Sequence, residues 1–432
     1  MQERKNDKRT HEAAKRSHMK VKRPNAVLYF IAFVLLYPLM KFLFRIEHNN
    51  KSFAPPEGPF IVVANHSTIV DFMFVLLLLF PRRLNAVTAT KYFLTRPLDK
   101  LLPIMGCIPK NQFSPDTRSI IDIKTVLKSG GCVLLFPEGR CSADGSFAGM
   151  HIATGKLIQH LGVPVISCFI DGAYTLMPPW RKGLRRGRVR ITMSEIFSSE
   201  DLKVMSVDDI NSAICFSLSG SDKSLTDKPP CTFSARRLAE GLHKILYWCP
   251  GCGSELTIET VGNTIRCSAC RSAATMDKLA NLCPEPGCVF PETIRRWYAE
   301  QTRYLSQSLD EDMEPIIEKV TVSLTKENAI GGEAVSGFGT LRLDSSGWHF
   351  DGQLAGEQVC HFFPVESVPA LPFDHDSNFQ IYSNGGIYRF TPEDARKSAK
   401  YALLGECAHR RFSSRPMLTP RVNSEFGIRN SE

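Results

Sequence analysis

The sequence predicts an α/β fold for the central part of the chain, preceded by an apolar helix and followed by a small cysteine-rich module and a β-rich region. The α/β prediction rests on apolar runs typical of buried strands, at 60–64, 131–136 and 163–170, with helical patterns between them. Two pairs of closely spaced cysteines indicate the module, and alternating apolar residues from 320 onwards indicate the β-rich region. At 432 residues and 43% hydrophobic content, the chain can form two or three domains with cores of their own.

The charge and the cysteines narrow the class of protein. Lys and Arg outnumber Asp and Glu by 53 to 44, so anionic partners such as phosphates, lipid headgroups or nucleic acid are favoured over cationic ones. Of the 14 cysteines, six lie in closely spaced pairs, and several others lie within apolar runs such as the one around Cys132. This pattern indicates buried thiols and metal ligands in a reducing compartment rather than a disulfide framework.

The N-terminal segment is interpreted as a tail followed by a membrane helix. Residues 1–24 are polar and basic and are predicted to be disordered, whereas residues 25–45 are almost entirely apolar. A spanning helix needs about 20 apolar residues, and this stretch is borderline with positive charge on both flanks. We therefore predict a helix that dips into one leaflet and is kinked at Pro38. A spanning helix and a soluble core helix are the alternatives.

The central region, residues 46–215, contains a candidate for acid–base chemistry. His66 follows the apolar run 60–64, and Asp71 comes five positions later. On a straight helix these positions would lie about 140° apart. The side chains can therefore meet only if His66 lies in the turn after the strand and Asp71 in the first turn of the next helix, with Ser67 or Thr68 as the N-cap. An imidazole whose second nitrogen is held by a carboxylate is suited to act as a general base.

Four sequence blocks in this region resemble the glycerophospholipid acyltransferase family. Asn65-His66-x4-Asp71 and Phe136-Pro137-Glu138-Gly139 match its double signature, and 106–110 and 163–166 stand where its second and fourth motifs occur. The resemblance implies a glycerolipid acyltransferase fold and transfer of an acyl group from a thioester to a glycerol hydroxyl. It also implies that His66 is the base and that Asp71 orients it. The implied substrate-binding residues are Asn65, Lys110, Glu138, Gly139 and Arg140, with Glu138 and Gly139 near the acceptor phosphate.

Two of these blocks depart from the family pattern. Lys110 replaces an arginine that ends the second motif, and lysine is a point charge rather than a bidentate fork. In the third motif the family has Thr-Arg-Ser after the glycine, whereas this chain has Arg140-Cys141-Ser142. Cys141 could be read as a nucleophile, but a base that activates the acceptor directly makes a covalent intermediate unnecessary.

A basic run and a linker follow. Residues 181–190 carry six cations beside Trp180, which fits a lipid–water interface or a solvated basic hairpin. Residues 216–247 are predicted to be a linker and a helix.

Residues 248–290 are predicted to be a zinc ribbon. Two Cys-x2-Cys pairs flank a hairpin signal at Gly262-Asn263. Four thiolates can bind a structural zinc ion and leave no open coordination position. Only Arg266 is basic between the first and last of these cysteines, which argues against nucleic acid as a partner. The predicted ligands are Cys249, Cys252, Cys267 and Cys270, and Cys283 and Cys288 are expected to be free thiols.

The C-terminal part is predicted to be β-rich. Residues 291–318 are predicted to be a helical connector, and residues 319–412 to be antiparallel strands closed by a last helix from 392 to 411. This arrangement weakly resembles pleckstrin-homology-like domains at the level of fold. A strand pair is predicted across Ser345-Ser346-Gly347. Residues 413–432 are predicted to be a disordered tail.

Together these features predict a membrane-associated acyltransferase of phospholipid biosynthesis that converts 1-acylglycerol 3-phosphate to phosphatidic acid. Its donor would be acyl-coenzyme A or acyl carrier protein, and its acceptor a lysophospholipid. The predicted location is the cytoplasmic face of a membrane, a bacterial inner membrane rather than an organelle membrane. Two alternatives stay open: an acyltransferase for another lysolipid, and a non-catalytic zinc-ribbon binding protein on a degenerate acyltransferase fold.

Overall fold

A computed structural model describes most of the chain. The described residues are 21–50, 52–113, 116–181, 183–220, 231–234, 236–309, 316–328, 334–374, 377–383, 385–414 and 417–418. Residues 1–20 of the predicted basic tail, the linker segment 221–230 and the predicted C-terminal tail beyond residue 418 lie outside the described residues.

A 19-residue helix, α1 (Ala26–Phe44), precedes the α/β domain. The Asn25 side chain caps it by accepting a hydrogen bond from the N–H of Leu28, and the helix continues through Pro38. Its length and apolar composition would suffice to cross a membrane. Only 17% of its most apolar window is buried, so the alternative of a soluble core helix does not fit.

The α/β domain is built on a seven-stranded sheet with the strand order β1-β8-β6-β2-β5-β3-β4. All neighbouring pairs run parallel except β6 and β8. The strands up to residue 197 are β1 (Ile46–His48), β2 (Ile61–Ala64), β3 (Leu84–Ala89), β4 (Ile108–Lys110), β5 (Cys132–Leu135), β6 (Val165–Asp171), β7 (Arg186–Gly187) and β8 (Val189–Phe197). The helices of this domain are α2 (Asp71–Leu78), α3 (Leu98–Ile104), α4 (Thr117–Lys128), α5 (Ala153–Leu161), α6 (Ala173–Leu176), α7 (Asp201–Val204) and α8 (Val207–Leu218). The predicted mixed α/β fold is confirmed, and the three apolar runs form β2, β5 and β6.

Strand β2 lies in the middle of the sheet and is buried on both faces. Ile61 and Val63 pack into the core on one face, and Val62 and Ala64 into the core on the other. A strand buried in this way reads as a continuous apolar run, because alternate side chains point to opposite faces. Strand β5 lies parallel beside it, with Val63 opposite Leu135. The loops after β2 and β5 therefore leave the same edge of the sheet.

Two local predictions in this domain are wrong. Helix α2 begins at Asp71 with Val70 as its N-cap, so neither Ser67 nor Thr68 is the cap. Among the described residues of 216–247, helix α8 ends at Leu218, and the rest forms the short strand β9 (Phe233–Ser234) and a single 3₁₀ turn. The expected helix before the cysteine pairs is therefore absent from 231–234 and 236–247.

The basic run 181–190 is partly built into the fold rather than being a solvated hairpin. The guanidinium of Arg185 is buried over the rings of Trp180 and Phe233 and donates to the carbonyl of Leu238. Arg190 is also buried and pairs with Asp171. Arg185 thus holds Phe233 and Leu238 beside Trp180, and the buried side chains of Arg185 and Arg190 are not available to an anionic surface.

The cysteine-rich module is a four-stranded antiparallel sheet with its strands in chain order. It consists of β10 (Ile258–Val261), β11 (Thr264–Cys267), β12 (Ala273–Met276) and β13 (Leu282–Pro284). Ile265 and Met276 of this sheet share a hydrophobic core with Phe74 and Leu134 of the α/β domain. The module is therefore packed onto the domain.

The C-terminal region is β-rich, as predicted. Helix α9 (Ile294–Ser308) leads into a second seven-stranded sheet, antiparallel throughout, with the order β17-β16-β15-β14-β20-β19-β18. Its strands are β14 (Ile317–Asn328), β15 (Val335–Asp344), β16 (Gly347–Leu354), β17 (Glu357–Pro364), β18 (Phe373–Asp374), β19 (Asn378–Ser383) and β20 (Gly386–Pro392). The last helix, α10 (Ser398–Phe412), packs on this sheet and starts later than predicted, because Pro392 still pairs with Val322 in the sheet.

Candidate active site

His66 and Asp71 meet beyond the end of β2. His66 lies in the loop after the strand, Asp71 is the first residue of α2, and His66 Nδ1 lies 3.2 Å from Asp71 Oδ2. This is the arrangement that their spacing predicts. Because the carboxylate contacts Nδ1, Nε2 is the imidazole nitrogen that remains to accept a proton.

The carboxylate of Asp71 is buried and held from several sides. Its Oδ2 accepts from the backbone N–H groups of Ser67 (2.6 Å) and Thr68 (2.8 Å), and its Oδ1 accepts from the Thr68 hydroxyl (2.7 Å). The two residues expected to cap α2 instead donate to its first side chain. These bonds fix the carboxylate and, through it, the plane of the His66 ring.

Glu138 reaches the same loop from the end of β5. It is buried, and its two oxygens accept from the N–H groups of His66 (2.6 Å) and Ala148 (2.7 Å). Burial raises the pKa of Glu138 to about 8, against the opposing effect of these two hydrogen bonds. One carboxylate oxygen thus holds the backbone that carries the base, and the other holds the backbone at Ala148.

Cys141 lies on the other side of the imidazole. Its Sγ is 3.5 Å from Nε2 of His66, and the ring of Phe136 stacks on the imidazole at 4.3 Å between centroids. Burial lowers the pKa of His66, but the sulfur of Cys141 and the carboxylate of Asp71 outweigh it and leave that pKa well above its usual value. The departure from the family motif at position 141 was the only signal in the sequence for this contact.

The predicted substrate-binding residues do not all line one cavity. Asn65 binds β6, since its side chain exchanges hydrogen bonds with the backbone of Ile170. Gly139 turns the loop with φ +71°, a conformation that favours glycine. Lys110 is half-buried at the end of β4, where burial lowers its pKa.

Arg140 contacts the C-terminal region. Its guanidinium lies 2.7 Å from the carboxylate of Glu406 on α10, and both side chains are largely buried. Glu406 also accepts from the N–H of Leu371. The cation that the resemblance implies for the acceptor phosphate is therefore paired with a carboxylate.

The C-terminal sheet reaches the rim of the site. Tyr382 of β19 packs edge-on against Phe113 at 5.8 Å between ring centroids, next to Gly139. Burial lowers the pKa of Lys91, and the charges that act on it include Asp374 of this sheet and Cys141. Nothing in the sequence indicated that residues so distant along the chain would meet here.

The four predicted metal ligands lie together in the cysteine-rich module. Their sulfurs all lie within 4.8 Å of one another, with 3.7 Å between Cys249 and Cys270 and 3.8 Å between Cys252 and Cys267. A tetrahedral ion with bonds to sulfur of about 2.3 Å would set the sulfurs about 3.8 Å apart. The cluster could therefore bind a metal ion of that size.

The two cysteine turns have matching backbones. In the first, the N–H of Gly253 donates to the carbonyl of Cys249, and in the second, the N–H of Arg271 donates to the carbonyl of Cys267. Gly253 and Arg271 both have positive φ, at 74° and 65°. This repeated geometry points both cysteines of each turn at one centre.

Three comparisons with known proteins each match part of the chain. The family model described as Acyltransferase matches residues 45–171. A curated 1-acyl-sn-glycerol-3-phosphate acyltransferase from Chlamydomonas reinhardtii is 29% identical over 144 residues, which span 32% of this chain and 42% of that relative's length. The crystal structure of the 1-acyl-sn-glycerophosphate acyltransferase PlsC from Thermotoga maritima aligns with a TM-score of 0.40 at 18% identity, covering 53% of this chain and 99% of that one.

Proposed function

We propose that this protein, whose residues 45–171 match the acyltransferase family model, transfers a fatty acyl group from an acyl thioester to the free hydroxyl of 1-acylglycerol 3-phosphate, giving phosphatidic acid. The observation that carries the proposal is the His66–Asp71 pair, 3.2 Å apart, at the end of β2 and beside the Glu138 turn. Ligands of α/β sheets bind beyond the carboxyl ends of the strands, which is where this pair lies.

In the proposed reaction His66 acts as the general base. Nε2 takes the proton of the acceptor hydroxyl while the hydroxyl oxygen attacks the thioester carbonyl, and the departing thiolate recovers the proton from the imidazolium. Asp71 accepts from Nδ1–H and so keeps Nε2 free to receive that proton. A pKa of His66 above its usual value makes the imidazole a stronger base.

Glu138 has a positioning role in this proposal. Both of its oxygens already accept backbone hydrogen bonds, so neither is free to contact the acceptor. We therefore assign contact with the acceptor to the surrounding cations and to the Gly139 backbone. Lys91, on which Cys141 acts, and Lys110 at the end of β4 are the proposed cations. Arg140 would contribute if the phosphate displaced or shared Glu406.

The second candidate is an acyltransferase for another lysolipid acceptor. The specific observation in its favour is the pairing of Arg140 with Glu406, together with cysteine at the next position. An arginine that is already paired with a carboxylate binds a phosphomonoester less strongly than an unpaired one. A screen of lysolipid acceptors with the purified protein separates the two candidates by kcat/KM.

The proposal also includes membrane binding through α1 and a metal ion in the cysteine-rich module. The exposed apolar side of α1 suits an anchor in one leaflet, which would deliver lipid substrates to the site. The lysophospholipid would come from that membrane and the thioester from coenzyme A or acyl carrier protein. Zinc is the ion proposed for the four-cysteine cluster, in a structural role.

Acyl transfer to 1-acylglycerol 3-phosphate tests the proposal. We expect His66→Ala to lower kcat by about 10²–10⁴-fold, since a positioned general base contributes that much. His160→Ala is the matched control, because His160 is exposed on α5 and should leave activity unchanged. Activity of the His66 variant equal to wild type would rule out the mechanism, and a folded, inactive wild-type protein would favour the non-catalytic alternative.

A further inference from the structure

Cys141, His66 and Asp71 form a continuous row of three side chains. Cys141 Sγ lies 3.5 Å from His66 Nε2, and His66 Nδ1 lies 3.2 Å from Asp71 Oδ2. A nucleophile next to a base that is oriented by a third group is the arrangement used in covalent acyl transfer. The proposed function uses the imidazole and the carboxylate but gives the thiol no role.

The backbone on both sides of Cys141 is anchored to His66. Glu138 accepts from the N–H of His66 at 2.6 Å, and the N–H of Ser142 donates to the carbonyl of His66 at 2.8 Å. The chain between these two anchors has little freedom to move away from the imidazole. The short separation of sulfur and Nε2 is therefore a built feature of the two loops.

Cys141 also differs from the structural cysteines of the same domain. Cys132 and Cys168 lie in strands and are buried in the core, where burial raises their pKa. Cys141 is partly exposed in a loop beside the base. Thiols react in proportion to their access and to the cations and bases around them.

We propose that Cys141 is the nucleophile that carries the acyl group, so that transfer passes through an acyl-thioester on this side chain. The inference rests on the proposed function, since it assumes an acyl-thioester donor and a hydroxyl acceptor. It replaces the direct attack of the acceptor hydroxyl on the donor thioester, which is the simplest form of the proposed function, by two half-reactions at one sulfur. The donor can leave before the acceptor lipid arrives, and the two need not occupy the site together.

His66 accepts and returns one proton in each of the two half-reactions. In the first, His66 takes the thiol proton, the sulfur of Cys141 attacks the donor carbonyl, and the carbon–sulfur bond to the carrier breaks, with the carrier thiolate taking the proton from His66. In the second, His66 takes the proton of the acceptor hydroxyl, the oxygen attacks the Cys141 thioester, and the sulfur leaves and is reprotonated by His66. No electrons are exchanged with another reagent, and the first step replaces one thioester by another.

The experiment uses full-length protein and palmitoyl-coenzyme A without an acceptor. We expect intact-mass analysis to show one added palmitoyl group, peptide mapping to place it at residue 141, and neutral hydroxylamine to remove it. Addition of 1-acylglycerol 3-phosphate should discharge the adduct at least as fast as kcat. Initial rates with both substrates varied should give parallel double-reciprocal lines.

Two cysteine variants complete the test. Cys141→Ala should abolish the adduct and lower kcat by at least 100-fold, whereas Cys360→Ala should change neither, because Cys360 is exposed on β17, at the far edge of the C-terminal sheet. If Cys141→Ala does not fold, Cys141→Ser serves in its place and should trap a hydroxylamine-resistant oxyester at position 141.

The outcomes separate this inference from the proposed function. Acyl transfer by wild-type protein with no adduct at residue 141 and with intersecting kinetic lines would overturn the inference and leave the function intact. A Cys141→Ala variant within about threefold of wild-type kcat would do the same. An adduct at residue 141 that 1-acylglycerol 3-phosphate does not discharge would support the nucleophile and count against the proposed acceptor.

Discussion

Asp71 shows how much of the site depends on single side chains. Its carboxylate is fully buried, yet it accepts from two backbone N–H groups and one hydroxyl within four residues, so its burial costs little. The same bonds define the turn that carries His66. Sequence spacing could predict that the two side chains meet, but it could not predict that Ser67 and Thr68 would donate to Asp71 instead of capping α2.

The pKa of His66 leads to a prediction about pH. A general base works only when it is neutral, so kcat/KM should fall as pH drops through the pKa of His66. Because the sulfur of Cys141 and Asp71 raise that pKa, we expect the acid limb to lie above about pH 6.5, the usual value for histidine. Cys141→Ala should move the limb of its residual activity to lower pH. A pH–rate profile of both proteins measures the two acid limbs. Limbs at the same pH would show that Cys141 does not raise the pKa of His66.

Glu138 leads to a prediction about stability. Burial raises its pKa to about 8 from an ordinary value of 4.5, so the folded protein holds this proton over a pH range in which the unfolded chain has lost it. The free energy of unfolding should therefore decrease as pH rises from 4.5 to 8, which is the reverse of a salt-bridged carboxylate. In Glu138→Gln this contribution disappears, and Tm should fall less steeply with pH than in wild type. His66 is present in both proteins and affects both slopes.

The same variant should also lose activity. The amide oxygen of glutamine can accept a hydrogen bond from one of the two backbone N–H groups. The amide N–H₂ then faces the second N–H group, and two donors cannot bond to each other. We expect a lower kcat with the KM for the acceptor little changed, because Glu138 acts on the loop of the base. A raised KM at unchanged kcat would instead indicate that Glu138 binds the acceptor phosphate.

At the scale of elements, the sequence predicted the parts of the fold that local pattern determines. The apolar runs at 60–64 and 131–136 form adjacent parallel strands, which brings His66 and Glu138 together at one edge of the sheet. The cysteine spacing likewise predicted a cluster that the structure shows. In the described residues 231–234 and 236–247 the helix expected before that cluster is absent. Phe233 lies in β9, and Arg185 contacts its ring and the carbonyl of Leu238, which propensity alone does not reveal.

Helix α1 carries a prediction about membrane binding. Val34 and Leu35 are 49% and 67% exposed, although they lie in a continuous apolar helix. If this side enters a leaflet, replacing both residues with glutamate should weaken binding to vesicles of phosphatidylcholine and phosphatidylglycerol by at least about tenfold, because each buried leucine or valine contributes about 1.5–3 kcal/mol. Val204→Glu is the control, since Val204 is 85% exposed outside α1. Equal binding by both variants in a vesicle flotation assay would exclude α1 as the anchor.

The four-cysteine cluster carries a prediction about metal content. We expect about one zinc ion per chain by elemental mass spectrometry, since a four-thiolate site has no open position and binds structurally. Cys252→Ser should lose the metal and lower Tm, because the β10–β13 sheet shares its core with the α/β domain. Cys283→Ser should retain it, as Cys283 lies outside the cluster. Wild-type protein without bound metal, or a Cys252 variant that keeps it, would contradict the site.

At the scale of the whole molecule, the decisive contacts join residues far apart in the chain. Arg140 and Glu406 are separated by 266 positions, and Phe113 meets Tyr382 across the same interface. Neither partner carries a local signature, since an arginine after a glycine turn and a glutamate on a helix are ordinary surface residues. The sequence could therefore predict a β-rich C-terminal region but not that it would close over the third motif.

The Arg140–Glu406 pair allows that closure to be tested energetically. Its side chains are only 13% and 10% exposed, so Glu406→Ala leaves a buried guanidinium without its partner, and we expect a loss of about 3–5 kcal/mol in the free energy of unfolding. The exposed pair Arg266–Glu259, at 60% and 47%, provides the control, and Glu259→Ala should cost at most about 1 kcal/mol. Replacing both partners, as Arg140→Met with Glu406→Leu, should recover most of the loss, because no charge is then left buried. Urea denaturation of the four proteins gives these differences. If Glu406→Ala cost no more than Glu259→Ala, the C-terminal region would not be held to the α/β domain by this pair.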